Sequence, residues 1–568
     1  MKEYILIYNL IPKEKKLHFF ILLILIFISI FAELLSITLI IPTIINFTNE
    51  GNSSLTLFND KILFFNILQK LDFKILLLIF LSIFFFKTIF LSFVNYFSQS
   101  FIADVQKNIT NKIFINYLKK DYTSFVSEHS SDKTRNIIEL TNSYIYQCLM
   151  PLVQVITEFS FIILISFFLF LIDPISLTLV VFFIFFLMIM YFKIIDKKLY
   201  EWGRLKQIFL SQRLKTLKEA IDGIMLIKIS NLSNFFLNQF KYSSDISINL
   251  TKKLLFLNNA VKYFLELFTI IILIILIFFL INRGFSKLEI LSLLSLYAIC
   301  SFKLLPSANR ITVNIQSMKF GISVLPVIKK ELFQVHNKKE YLIDHQIKFE
   351  NKLIFKNIFF SYDSNFSVFE NLNLEIKKND FIGILGESGS GKSTFINLFC
   401  GLLFPTKGEI FIDTVDITQN YFDMRKTIGY VPQKIFLIDD TIKANIALGN
   451  ENYSIKRIND IIMESNFAKF IEELPNGIDT KIGEDGNRLS IGQKQRLNIL
   501  RALYNDPEIL IFDESSSALD EKNEEIFLNL IMEFKSKKTV IFITHKSKLL
   551  KDFDKIYEIK NKQMTQVK

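Results

Sequence analysis

The sequence predicts a bundle of six membrane-spanning α-helices followed by an α/β P-loop domain, and two observations carry that expectation. Apolar residues make up 51% of the 568-residue chain, and the apolar excess falls almost wholly before about residue 320. From 345 onward the composition is that of an ordinary soluble domain, and a glycine-rich phosphate-loop pattern there follows an apolar strand. A chain this long exceeds one compact core. It divides into a membrane domain at 1–325, a linker at 326–344 and a P-loop domain at 345–568.

A spanning helix needs roughly 20 mostly apolar residues. Such stretches run at 17–45, 73–98, 143–172, 175–195, 256–281 and 288–310. The first follows Lys13, Lys15 and Lys16 as a signal peptide would. It is too long for one and no small-residue cleavage site comes after it, so a retained helix is expected. Lys and Arg crowd 107–135 and 193–253 and are sparse at 47–72 and 282–288, which puts the basic loops and both termini in the cytoplasm. That topology accounts for the net charge of +11, and with no nucleic-acid-binding motif present, a nucleic-acid partner is not expected. Ile172-Asp173-Pro174 forms a tight outer turn, whereas the cytoplasmic connections are long, so helices should continue well past the membrane surface. In the outer loop at 47–72, Leu57, Phe58, Ile62, Phe65 and Leu68 fit a short interfacial helix or a partly ordered linker. Cys148, Cys300 and Cys400 have no metal or redox spacing and read as buried thiols.

The chemistry concentrates in the last third of the chain. Gly386-Glu387-Ser388-Gly389-Ser390-Gly391-Lys392-Ser393-Thr394 follows the strand Phe381-Ile382-Gly383-Ile384-Leu385 and opens a helix. The glycines let successive backbone N–H groups face phosphates, and the helix N-terminus adds the positive end of its dipole. Lys392 is expected at the β- and γ-phosphates of ATP, and the Ser393 hydroxyl at Mg²⁺. A second strand, Ile509-Leu510-Ile511-Phe512, delivers Asp513 and Glu514 at its end. Asp513 suits the Mg²⁺ shell, and Glu514 suits polarising the attacking water.

Together with six further short motifs in the family's order along the chain, these resemble an ABC nucleotide-binding domain over all of about 345–568. Tyr362 matches the aromatic that stacks on adenine. Gln433, in Tyr430-Val431-Pro432-Gln433, matches the Q-loop glutamine that touches Mg²⁺ and senses the membrane domain. Thr480-Lys481-Ile482-Gly483-Glu484-Asp485-Gly486 resembles the exporter X-loop, and Leu489-Ser490-Ile491-Gly492-Gln493 the ABC signature. Ser517-Ala518-Leu519-Asp520 is similar to the D-loop, and His545 to the switch histidine. The resemblance implies a homodimer, in which Ser490, Gly492 and Gln493 cap the γ-phosphate held by the partner chain. Two departures stand out: Ile491 replaces the usual first signature glycine, and Lys546-Ser547-Lys548 after His545 differs from the common exporter run. Coupling helices that rest on the nucleotide-binding domains are expected at 121–130, with Tyr122 and Phe125 as anchors, and at about 228–237.

Charges inside spanning helices are costly and mark candidate functional positions. Lys87, Lys262, Lys303 and Arg310 lie there with the acidic Glu33, Glu158 and Glu266, either pairing structurally or lining a cationic cavity for a group such as a diphosphate. These cations, the 47–72 loop and Leu304-Leu305-Pro306-Ser307-Ala308-Asn309-Arg310-Ile311 together resemble the bacterial lipid-linked-oligosaccharide flippases of protein N-glycosylation. That resemblance implies an inner-membrane protein moving a polyprenyl-diphosphate glycan to the outer leaflet, with Lys87, Lys303 and Arg310 as the substrate-binding cations. Lys stands where Arg would be expected, which lessens bidentate phosphate binding. The alternatives are a lipid or multidrug exporter of the same build and, from another class, an ATP-gated channel or regulator.

Overall fold

The structure is a computed structural model that describes residues 2–38, 73–172, 174–284, 287–333, 348–363, 366–418, 424–465, 467–515 and 521–568. Two compact units divide the chain: Met1–Lys120 with Ser124–His336, and Asp121–Thr123 with Asn337–Lys568.

The first unit is built from long helices, Lys16–Thr38, Phe73–Leu118, Pro174–Asp222, Ser233–Asn282 and Lys287–Gly321, and from a continuous helical stretch that ends as Met150–Ile172. Leu, Ile and Phe fill Phe73–Leu118 with no Gly or Pro to break it. A helix also satisfies its own backbone polar groups where water is excluded. Five helices among the described residues are long and apolar enough to cross a membrane: Lys13–Leu35, Phe73–Leu118, Ser130–Phe167, Ser233–Asn282 and Leu304–Phe333. The expected span at 175–195 falls within Pro174–Asp222, whose proline occupies the first helical position, where its missing N–H costs nothing. Phe73–Leu118, Pro174–Asp222 and Ser233–Asn282 hold 46, 49 and 50 residues. At about 1.5 Å per residue each is roughly 70 Å long, far beyond a hydrocarbon core of about 30 Å, as expected from the long connections between the apolar stretches. The loop at 47–72 and Asp173 lie outside the described residues.

Ile7, Leu22, Val105, Ile109, Tyr144 and Leu149 are fully or nearly fully buried in this unit's core. The Tyr144 hydroxyl donates to the Ile7 carbonyl at 2.9 Å and ties down the N-terminal helix Lys2–Asn9. The stretch leading into Met150–Ile172 contains two π-helical turns, Asn136–Leu140 and Ile145–Leu149. Glycines mark two close crossings. A Cβ on Gly203 would lie 1.9 Å from the Phe320 carbonyl oxygen, and one on Gly321 would lie 2.6 Å from Gln147 Cβ and 2.9 Å from Cys148 Sγ.

Two expectations are corrected here. Residues 326–333, placed in a linker, belong to the helix Leu325–Phe333, because Leu325, Ile328 and Leu332 bury themselves in the same core. The second coupling segment, placed at about 228–237, straddles two helices. The short helix is Ile224–Ile229, set off by Gly223, and Ser233 already opens the next long helix. The first short helix, Tyr122–Ser127, falls inside the expected 121–130.

The second unit carries two sheets. Strands β1 (Lys352–Asp363), β2 (Phe366–Lys377), β4 (Lys407–Ile412) and β5 (Val415–Asp416) form an antiparallel sheet in the order β2-β1-β4-β5. The other sheet, β10-β9-β3-β8-β7-β6, joins β3 (Phe381–Gly386), β6 (Ile428–Val431), β7 (Ile509–Asp513), β8 (Thr539–Thr544), β9 (Lys555–Lys560) and β10 (Gln563–Gln566). All neighbours in it are parallel except β9 and β10. β3, β7 and β8 are apolar runs buried on both faces, as central parallel strands must be. Their C-terminal ends therefore converge on one edge, where open α/β sheets bind ligands.

Candidate functional site

At that edge β3 ends in Gly386, and the chain turns through 387–391 into the helix Lys392–Phe399. Gly389 and Gly391 take φ of +82° and +108°. A side chain at Gly391 would be strained in that conformation and would press on Val368 and Phe369. Lys392 is buried; its ammonium donates to the carbonyls of Gly386 at 2.8 Å and Glu387 at 2.9 Å and pairs with Glu514 Oε1 at 3.1 Å. Ser393 and Ser388 are exposed along the same turn, and Ser390 Oγ is buried without a hydrogen-bond partner.

The carboxylates follow from β7. Asp513 ends the strand, and Glu514 takes a φ of +43°, an unusual value for a side chain of this size. Its N–H is held by the Ile543 carbonyl of β8 at 2.9 Å, so the sheet itself fixes the bend. Gln433 Nε2 donates to Glu514 Oε2 at 2.9 Å, and the Tyr430 hydroxyl donates to Asp513 Oδ2 at 3.0 Å. Burial holds the Asp513 carboxyl above the usual carboxylate range, with neighbouring Glu514 adding to this, while Tyr430 and Lys392 oppose it. Burial and the facing Asp513 likewise raise the Tyr430 phenol. Lys392, Gln433, Asp513 and Glu514 are thus brought together as the motifs required, and Tyr430 joins them without having been singled out for a role.

Around this cluster, Tyr362 on β1 presents a half-exposed ring, and its hydroxyl meets Thr394 Oγ1 at 3.1 Å beside the start of the P-loop helix. His545 is exposed immediately after β8. Its neighbour Lys546 pairs with the buried Glu524 carboxylate at 2.8 and 3.0 Å, so the departure from the common exporter run has a packing reason. Ser490 caps the signature helix Ile491–Leu503: its Oγ accepts from the Gln493 N–H at 3.3 Å, and Gln493 Oε1 accepts from the Ser490 N–H at 2.9 Å. Gly492 has open space where a Cβ would stand, and Ile491 is exposed. Among the described residues no hydrogen bond joins Ser490, Gly492, Gln493 or His545 to the Lys392 cluster. Asp520 and the rest of 516–520 lie outside the described residues.

The donor set fits Mg²⁺. The Ser393 hydroxyl, the Gln433 amide and the Asp513 carboxylate are hard oxygen donors, and no group of three or more His, Cys, Asp or Glu stands ready for a metal among the described residues. Mg²⁺ takes few protein carboxylates and completes its shell with water and nucleotide phosphates.

In the first unit, Lys87 is buried with its ammonium 4.5 Å from the centre of the Phe84 ring. Arg310 makes a forked pair with Glu158, its Nη2 donating to Glu158 Oε2 at 3.0 Å, and also reaches Ser307 Oγ at 3.2 Å. Lys262 pairs with Glu266 one turn along its helix, at 3.9 Å. The side chain of Lys303 lies outside the described residues.

The fold is the one that ABC exporters share, a bundle of long helices followed by a P-loop domain. The chain superposes on a bacterial Atm1-family ABC exporter solved with ATP bound, with a TM-score of 0.77 over 97% of this chain and 94% of that one, at 19% identity. Residues 369–517 match the family model described as ABC transporter. An export ATP-binding/permease protein of Rickettsia typhi is 38% identical over 45% of this chain and 44% of its own length. The heterocyst differentiation ATP-binding protein HepA of a Nostoc species is 31% identical over 60% and 56%. The chain thus spans about half the length of these curated relatives.

Proposed function

We propose that this chain is an ATP hydrolase that drives export across a membrane, working as a homodimer with both termini in the cytoplasm of a bacterial inner membrane. The observation that carries the reading is the meeting of Lys392, Gln433, Asp513 and Glu514 at one sheet edge, in a chain that also holds helices fit to cross a bilayer. Lys392 and the N–H groups of 387–391 bind the phosphates of ATP, and Tyr362 stacks on the adenine. Ser393, Gln433 and Asp513 hold Mg²⁺, which neutralises charge on the phosphates when bound. Glu514 accepts the proton of the attacking water, oriented by Gln433, and His545 contacts the γ-phosphate. Ser490, Gly492 and Gln493 complete the site of the partner chain, and Asp520 contributes to ATP binding. The name of the Rickettsia typhi relative, which refers to export, supports the same reading.

For the substrate, we infer a polyprenyl-diphosphate oligosaccharide flipped to the outer leaflet. Lys87, Lys303 and Arg310 would receive its diphosphate. Lys87 supports this by its burial in an apolar helix. The pairing of Arg310 with Glu158 sets a condition: the diphosphate must displace a carboxylate already in place. That pair favours a second reading, a lipid or multidrug exporter in which these charges are structural. ATPase stimulation in liposomes separates the two. A response to polyprenyl-diphosphate glycans supports the flippase, and a response only to drug-like amphiphiles supports the general exporter.

A further inference from the structure

The segment 430–433 touches both carboxylates at the end of β7, and only one of the two contacts is accounted for by the motifs. Gln433 takes Glu514; three residues earlier, Tyr430 takes Asp513. The ladder makes this possible. β6 runs parallel to β7 with Tyr430 opposite Ile511, two residues short of Asp513, so the long phenol reaches forward along the sheet to the carboxylate. Val431 and Gly429, on the other face of β6, are buried, which fixes the face Tyr430 presents.

We propose that Tyr430 is a positioning residue for Mg²⁺: its hydroxyl fixes Asp513 Oδ2 and thereby turns Oδ1 toward the metal. This role rests on the nucleotide-site reading of the same cluster. A carboxylate at a strand end rotates about its Cβ–Cγ bond, and a charge-assisted hydrogen bond to one oxygen removes that freedom. A metal as geometrically demanding as Mg²⁺ gains from a donor already oriented. Because Gln433 grips Glu514 from the same segment, a displacement of 430–433 would loosen both carboxylates together.

The test is Mn²⁺ titration, followed by electron paramagnetic resonance, of the full chain with a non-hydrolysable ATP analogue. Tyr430→Phe keeps the ring and removes only the hydroxyl. The expected result is an Mn²⁺ dissociation constant raised about fivefold or more, in line with the loss of one hydrogen bond to a charged group, with metal-free analogue binding unchanged. In an Asp513→Asn background the same change should add nothing. An Mn²⁺ affinity within twofold of the parent, an equal loss of metal-free binding, or an undiminished effect beside Asp513→Asn would each overturn the proposal. Failure of the parent chain to bind the analogue at all would instead overturn the nucleotide-site reading.

Discussion

Glu514 combines a left-handed backbone with contacts to Lys392 and Gln433. Such a conformation costs about 1–3 kcal/mol and persists only where the surroundings over-determine it. Here the N–H bond to Ile543 does so. Replacing the carboxylate by an amide keeps the shape and removes the base, so Glu514→Gln should lower ATP turnover by about a hundredfold or more while ATP still binds. Steady-state hydrolysis and nucleotide binding measured side by side check this, and normal turnover would remove Glu514 from the role of base. That Lys392 and Glu514 meet was legible in the sequence because each stands in a short contiguous run at the end of an apolar strand. Tyr430–Asp513 and Arg310–Glu158 were not, since they join positions 83 and 152 residues apart. The sequence could place Glu158 and Arg310 in helices, but not say that those helices face each other.

Among the elements, the two strands that lead into the phosphate loop and the Asp513-Glu514 pair, and the phosphate-loop helix, followed from their apolar runs and glycines, whereas the helix Leu325–Phe333 and the short helix Ile224–Ile229 did not. Both are brief, and what fixes the first is burial of Leu325, Ile328 and Leu332 against distant residues. The turn after β4 shows a similar dependence. Asp413 accepts hydrogen bonds from the N–H groups of Glu350, Asn351 and Lys352 at 2.7–2.9 Å. Burial would raise its carboxyl, but these three donors prevail and hold it below the usual range. A depressed carboxylate stabilises the fold above its unfolded pKa of about 3.9 and ceases to as pH falls through the folded value. Asp413→Ala should therefore cost about 1–2 kcal/mol at neutral pH and progressively less below pH of about 4, as thermal melts across pH would show. Gly203 makes a sharper case, with the Phe320 carbonyl 1.9 Å from where a Cβ would stand. Gly203→Val should destabilise the protein by about 3 kcal/mol or more, whereas Gly492→Ala, with nothing within 4 Å of its Cβ, should leave the melting temperature unchanged.

On the scale of the whole molecule, the proposed ATPase and the proposed membrane passage occupy one chain, and the two can be separated by experiment. Neutralising Lys87, Lys303 and Arg310 together should reduce glycolipid flipping while basal ATP hydrolysis continues; unchanged flipping in that triple variant would discard the cationic passage. Division into an apolar half and a P-loop half was legible from composition alone, because a bilayer imposes long uninterrupted apolar runs that no soluble core needs. The close crossings at Gly203 and Gly321 left no such trace, since a lone glycine in a helix looks the same whether it faces water or a backbone. Their consequence is mechanical. Where the Phe320 carbonyl nests against Gly203, one helix cannot slide lengthwise past the other without driving that oxygen toward Leu199 or Lys206, one turn away on the same face. The next residue, Gly321, is wedged against Gln147 and Cys148 in the same way. Two consecutive residues thus lock three helical segments at one level and leave rotation about that point as the cheap degree of freedom: a fulcrum rather than a track.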